Sequence, residues 1–221
     1  MSSKMVNLLI IGGSDAGISA ALRAREMDPT LSVTVVVADA FPNYSICGLP
    51  FYISGETPDW RSLAHRTRDE IEREGIRLLL DHTARTIHPD GKTVEVENAS
   101  GQVQAIPYDR LVIATGAVPI RPSISGLDLP GVYQLHTMED SFRIHEHVTG
   151  HHPESVLIVG GGYIGLEMAD ALRHRGMRVT LVEMAETLLP VTVDAELGLI
   201  VENELHRHDV EVIRQVTIES I

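Results

Sequence analysis

Apolar residues along this chain fall into short unbroken runs and amphipathic stretches that follow one another in a repeated order. Residues 6–11, apolar apart from Asn7, read as a parallel strand with both of its faces covered. A glycine-rich turn at 12–17 follows, and 18–26, rich in Ala, Leu and Arg, predicts a helix. Asp28-Pro29 stops it, and 33–37 predicts a β-branched strand leading to Asp39. The order recurs as strand 156–159, glycine turn 160–165, helix 166–175 and strand 179–182, ending at Glu183.

Between these units the pattern is less regular. Residues 41–58 hold many turn formers and predict a loop or short helix around Cys47. A helix at 67–74 with Gly75 as C-cap is followed by strands at 77–80, 93–97 and 102–106, the last two joined as a hairpin, and 111–114. Pro119, Pro122, Gly126, Pro130 and Gly131 mark a linker, after which 137–148 predicts a polar, His-rich helix. Residues 195–206 predict an amphipathic helix. The whole reads as an α/β protein of two Rossmann-like, three-layer domains with parallel sheets.

Composition narrows the function classes. A formal net charge of −13 opposes nucleic-acid binding, which needs clustered Lys and Arg against phosphate. No run approaches the roughly 18 apolar residues of a membrane helix. Cys47 is the single cysteine, so no disulfide forms within the chain and a cytoplasmic setting is expected. His145, His147, His151 and His152 do not predict a metal site, because helical residues two apart do not share a face. A solvated helix face is the expectation there.

The second turn has the fuller chemistry. Gly160, Gly162 and Gly165 fit G-x-G-x-x-G between strand and helix, with Tyr163 and Ile164 between the last two. The first glycine permits the turn, the middle one lets a pyrophosphate near the backbone, and the last lets helix pack on strand. The helix N-terminus supplies N–H groups and partial positive charge. Glu183 stands near the spacing of about 20 residues expected of the acid that holds a ribose 2′-hydroxyl. With no Arg or Lys between it and Pro190, NADH is expected over NADPH. The first turn, Gly12, Gly13, Ser14, Asp15, Ala16 and Gly17, carries serine at the middle position, and Asp39 is its candidate ribose ligand. Two such turns predict electron transfer between two cofactors, most simply a nicotinamide and a flavin.

The first turn, the segment Leu111-Val112-Ile113-Ala114-Thr115-Gly116, and the stretch from Gly160 to Glu167 together resemble the pyridine nucleotide–disulfide oxidoreductase superfamily. Asn43-Tyr44-Ser45-Ile46-Cys47-Gly48-Leu49-Pro50-Phe51-Tyr52 resembles its single-cysteine branch of coenzyme A-disulfide reductases, NADH persulfide reductases, and NADH oxidases and peroxidases. The resemblance implies FAD at the first turn with Thr115 and Gly116 in a second FAD loop, and NADH at the second turn. It makes Cys47 the redox group, Tyr163 an aromatic gate, and Glu167 a carboxylate near the same ring. Arg23 and Arg25 match a basic pair that contacts coenzyme A, and Ser45 completes the substrate set. The substrate implied is a small disulfide or persulfide such as coenzyme A disulfide.

The family pattern divides the chain into an FAD-binding part (1–118), a linker (119–150) and an NAD-binding domain (151–221) that is incomplete. The family continues further, to a dimerisation domain that makes a homodimer, so FAD binding by this chain alone is expected to be weak. Asp15 stands where oxidases and peroxidases carry histidine, which favours the disulfide and persulfide reductases. The alternatives are an NADH oxidase or peroxidase, a ferredoxin- or nitrite-reductase-type flavoprotein in which the cysteine is incidental, and a nucleotide-binding module without turnover.

Overall fold

The computed structural model describes residues 5–221. Its elements run β1 (Asn7–Ile11), α1 (Asp15–Met27), β2 (Ser32–Val36), a 3-10 turn (Ile46–Gly48), α2 (Leu49–Ser54), a second 3-10 turn (Trp60–Leu63), α3 (Arg68–Arg73), β3 (Ile76–Leu79), β4 (His82–His88), β5 (Thr93–Asn98), β6 (Val103–Pro107) and β7 (Arg110–Ile113). They continue with α4 (Met138–His151), β8 (Ser155–Val159), α5 (Tyr163–His174), β9 (Arg178–Glu183), α6 (Ala195–Arg207) and β10 (Val210–Arg214).

Two compact units result: one takes in the chain up to Ser45 with Arg61–Val118, the other Ile46–Trp60 with Pro119–Ile221. In the first, a parallel sheet of order β3-β2-β1-β7 has helices on one face and the antiparallel sheet β4-β5-β6 on the other. Because side chains alternate along a strand, Ile10, Val33 and Val35 meet Ile18, Ala21 and Ile71 on the helical face. Leu9, Ile11 and Val36 instead meet Val94 and Val96 of β5. Each fully buried side chain of this size contributes roughly 1.5–3 kcal/mol. In the second unit, the parallel sheet β10-β9-β8 packs against helices through Leu181, Val179, Met168, Leu172, Ile144 and Ile53.

Several expectations are corrected. β4 is a strand the pattern did not predict: a register shift between Ala84 and Thr86 breaks its two-residue alternation. β10 was not predicted either. α1 and α5 begin earlier than expected, at Asp15 and Tyr163, because the glycine turns run directly into helical backbone. The helix expected at 137–148 is present as α4, started by a capping box in which Thr137 and Asp140 satisfy each other's N–H groups. It is not a solvated helix: Met138, Ile144 and Val148 are buried, and His145 stacks on Tyr52 with ring centroids 4.5 Å apart. No helix among the described residues is long and apolar enough to cross a membrane.

Candidate functional site

The first turn is shaped by what surrounds its glycines. Gly12 has φ +115°, and a Cβ there would overlap the Ala114 carbonyl oxygen. Ala114 passes so close because its N–H donates to the Ile11 carbonyl at the end of β1, at 2.8 Å. The Thr115 backbone nitrogen is thereby brought to 3.3 Å from where a Cβ on Gly12 would stand. A Cβ on Gly17 would overlap the Gly12 carbonyl oxygen, so this glycine lets α1 close onto β1. Ser14 is the N-cap of α1, with extended backbone and a hydroxyl that makes no capping bond. Asp39 lies beyond the end of β2, one carboxylate oxygen accepting from the Phe41 N–H at 2.8 Å.

Sequence reasoning missed Asn43. Its backbone N–H donates to the Gly13 carbonyl (2.7 Å), its carbonyl accepts from the His65 N–H (2.9 Å), and Nδ2 donates to Asp15 Oδ1 (2.7 Å). Asn43 adopts φ +58°, a left-handed conformation that Asn tolerates better than most residues. Its Oδ1 is buried with no hydrogen-bond partner among the described residues. The Asp15 carboxylate fixes the amide orientation, since only the NH₂ side can donate to it. A buried acceptor left open beside the turn fits a site built for a polar ligand.

The second turn repeats this geometry. Gly160 has φ +109°, and a Cβ on Gly165 would overlap the Gly160 carbonyl oxygen. Glu183 ties the turn to the end of β9: Oε2 accepts from the Gly161 N–H at 2.6 Å and Oε1 from the Ala185 N–H at 2.8 Å. Each oxygen keeps a lone pair for a ribose hydroxyl. Gly162 is the N-cap of α5, and a Cβ there would meet nothing within 4 Å. Open space against the backbone at this position fits the approach of a pyrophosphate.

Tyr163 and Ile164 occupy the first turn of α5 and are exposed. Glu167 stands one turn beyond Tyr163 on the same face, also exposed. Cys47 is exposed in the 3-10 turn that leads into α2, and α2 packs against α4 and α5. The cysteine is thus carried by an element seated on the helix that starts at the second turn. Pro50 occupies the first turn of α2, where its missing N–H costs nothing, and Gly55 closes the helix in left-handed conformation. Arg175, also unforeseen, donates from Nε to the Ile53 carbonyl at 2.8 Å. Burial and then the Arg175 charge hold His145 below the ordinary histidine value, whereas burial raises Tyr52 despite the same charge.

The three expected substrate residues differ from one another in setting. Arg25 donates to the Glu74 and Leu31 carbonyls at 2.9 Å and also to that of Pro29, a structural use of its guanidinium. Arg23 is exposed and pairs with Glu26 on its own helix. Ser45 is half-buried, and its backbone N–H donates to the Leu63 carbonyl at 2.8 Å.

The family described as pyridine nucleotide-disulphide oxidoreductase matches residues 6–221. The NAD(P)H sulfur oxidoreductase (CoA-dependent) of Pyrococcus abyssi is 37% identical over 201 residues, covering 91% of this chain and 44% of that protein. Among solved structures, a NAD-dependent persulfide reductase from A. fulgidus matches with a TM-score of 0.92 at 35% identity, covering 97% of this chain and 41% of that one. A water-forming NADH oxidase from Lactobacillus brevis, bound to NADH, matches with a TM-score of 0.91 at 27% identity, covering 97% and 48%. The chain spans less than half the length of each.

Proposed function

Because this chain belongs to the pyridine nucleotide-disulphide oxidoreductase family, we propose that it takes FAD at turn 12–17 and NADH at turn 160–165, and delivers electrons to a sulfur acceptor at Cys47. The observation that carries the reading is the placement of an exposed thiol on α2's leading turn, with α2 packed on the helix that opens at the second glycine turn. Bound FAD supplies a two-electron relay between nicotinamide and sulfur.

The chain's own residues take the following parts. Gly12, Gly13, Ser14, Ala16 and Gly17 present backbone to one pyrophosphate, with Asp39 on its ribose and Thr115 and Gly116 alongside. Gly160, Gly162, Ile164 and Gly165 present backbone to the other, and the paired oxygens of Glu183 hold the ribose hydroxyls and repel an added 2′-phosphate. Tyr163 is the exposed side chain that NADH displaces on entry, and Glu167 on the same face lends negative charge there. The Cys47 thiolate attacks one sulfur of the acceptor, forming a Cys47–S–S–R bond and releasing a thiolate. Two electrons and a proton then split that bond, so that NADH, H⁺ and one disulfide yield NAD⁺ and two thiols. Relatives named for coenzyme A-dependent sulfur reduction and persulfide reduction favour a coenzyme A disulfide or persulfide. Ser45 and Arg23 remain the polar candidates for its recognition, while Arg25 keeps its structural place.

NADH consumption in the presence of FAD, compared on coenzyme A disulfide, coenzyme A persulfide, hydrogen peroxide and oxygen, tests the reading. Turnover on a sulfur acceptor should vanish in Cys47→Ser. Full sulfur turnover in that variant would remove Cys47 from the reaction and leave a flavoprotein reductase in which the thiol is incidental.

A further inference from the structure

We infer that Arg175 is a positioning residue for Cys47, acting through α2. The inference rests on Cys47 as the redox group. Ile46–Trp60 is flanked in sequence by the first unit yet belongs to the second, so what holds it there sets where the thiol stands. Three kinds of contact do so. Leu49 and Ile53, one helical turn apart, are fully buried, and Ile53 joins the core built from α4, α5 and β9. Tyr52 stacks on His145 and meets Phe142 edge-on, with ring centroids 5.9 Å apart, while Phe142 meets Trp60 at 5.4 Å.

The third contact is Arg175, the only one of the three that is both charged and directional. Its Nε bonds the Ile53 carbonyl, an acceptor that the short helix cannot satisfy internally. The cation lies at the carbonyl end of α2, where positive charge is favoured. A Cβ on Gly55 would come within 3.2 Å of the guanidinium carbon, a tight contact that the bare glycine avoids. Arg175 is itself the C-cap residue of α5. One helix therefore carries the second glycine turn at one end and the clasp on α2 at the other.

Arg173 supplies a matched control. It leaves the same end of α5 and also binds backbone carbonyls, those of His208 and Met177, each at 2.9 Å. Its clasp faces α6 and β10 rather than α2. Arg175→Met, Arg175→Lys and Arg173→Met would be compared by the rate at which the sole thiol reacts with an aromatic disulfide, and by backbone hydrogen exchange over residues 46–54. Arg175→Met should raise the thiol rate and the exchange by about fivefold or more, as expected when a charged clasp on a locally opening segment is lost. Arg175→Lys should recover most of both, and Arg173→Met should leave both at the native value. Arg175→Gln carries the same expectation should Arg175→Met not fold. Native rates in the Arg175 variants, or equal changes in Arg173→Met, would overturn the positioning role. Retained sulfur turnover in Cys47→Ser would instead remove the redox reading while leaving these rates untouched.

Discussion

The two glycine turns of this chain are built on one local plan and set in different surroundings. Gly12 and Gly160 both take left-handed backbone, at φ +115° and +109°, and Gly17 and Gly165 both let a helix close onto the turn's own carbonyl. Ser14 and Gly162 share nearly the same extended conformation, at φ −84° and −82°. Around the first turn, β7 extends into Ala114 and covers Gly12, and β5 covers the sheet beneath. Around the second, a Cβ on Gly160 would meet nothing within 4 Å. A dinucleotide turn is thus specified by a few backbone requirements, and its mechanical stiffness comes from neighbours that those requirements do not name.

That contrast is broken most forcefully at the leading glycines. Gly12→Ala adds an overlap with the Ala114 carbonyl to the strain of positive φ, and should cost about 3–5 kcal/mol in urea unfolding of the first unit. Gly160→Ala meets the strain alone and should cost about 1–2 kcal/mol. Equal losses would mean that Ala114 gives way freely and that the first turn is no stiffer than the second.

Much of this arrangement can be read from the chain itself. The two β-α-β units were legible because apolar runs, glycines and a terminal acid stand at spacings set by backbone geometry. The first helix of each unit was placed too late, since a sequence pattern sees side chains and not the helical backbone that starts within a glycine turn. β4 escaped because its two core-packed apolar residues, Ala84 and Ile87, stand three apart across a register shift. Ile144 and Val148 mark a buried stripe on α4, but the polar residues between them drew the reading toward solvent. The short helix beside Cys47 was legible from the turn formers around it. Asn43 and Arg175 were not, because each acts on backbone carbonyls supplied by distant parts of the sequence.

The acids sharpen the comparison next. Glu183 engages two N–H groups, one of them inside its own turn, whereas the Asp39 carboxylate accepts from the Phe41 N–H, outside its turn. Glu183→Ala should therefore weaken NADH binding by about 10- to 100-fold, the loss expected for charge-assisted hydrogen bonds. Asp39→Ala should leave an NADH titration within about twofold of native while weakening FAD. Nicotinamide affinity that falls equally in both variants would show that the turns do not divide the cofactors as proposed.

The smallest expected effect lies at the middle position, where it separates what folding needs from what binding needs. Ser14 makes no capping bond and Gly162 borders open space, so neither position requires its present residue for stability. Ser14→Gly and Gly162→Ser should each shift stability by only a few tenths of a kcal/mol, since glycine and serine differ little at an N-cap. Binding should respond differently. If a pyrophosphate lies against the backbone of the second turn, the serine side chain at 162 enters the ligand's space and NADH affinity falls severalfold with the fold intact. The first turn carries serine, so a dinucleotide bound there would sit slightly further from the backbone or use the hydroxyl as a donor. Ser14→Ala distinguishes these: unchanged FAD affinity indicates distance, and a loss indicates the hydrogen bond. A Gly162→Ser variant with native NADH affinity would show that the middle glycine serves neither stability nor approach, and the second turn's close fit to its ligand would have to come from Glu183 and the α5 N-terminus alone.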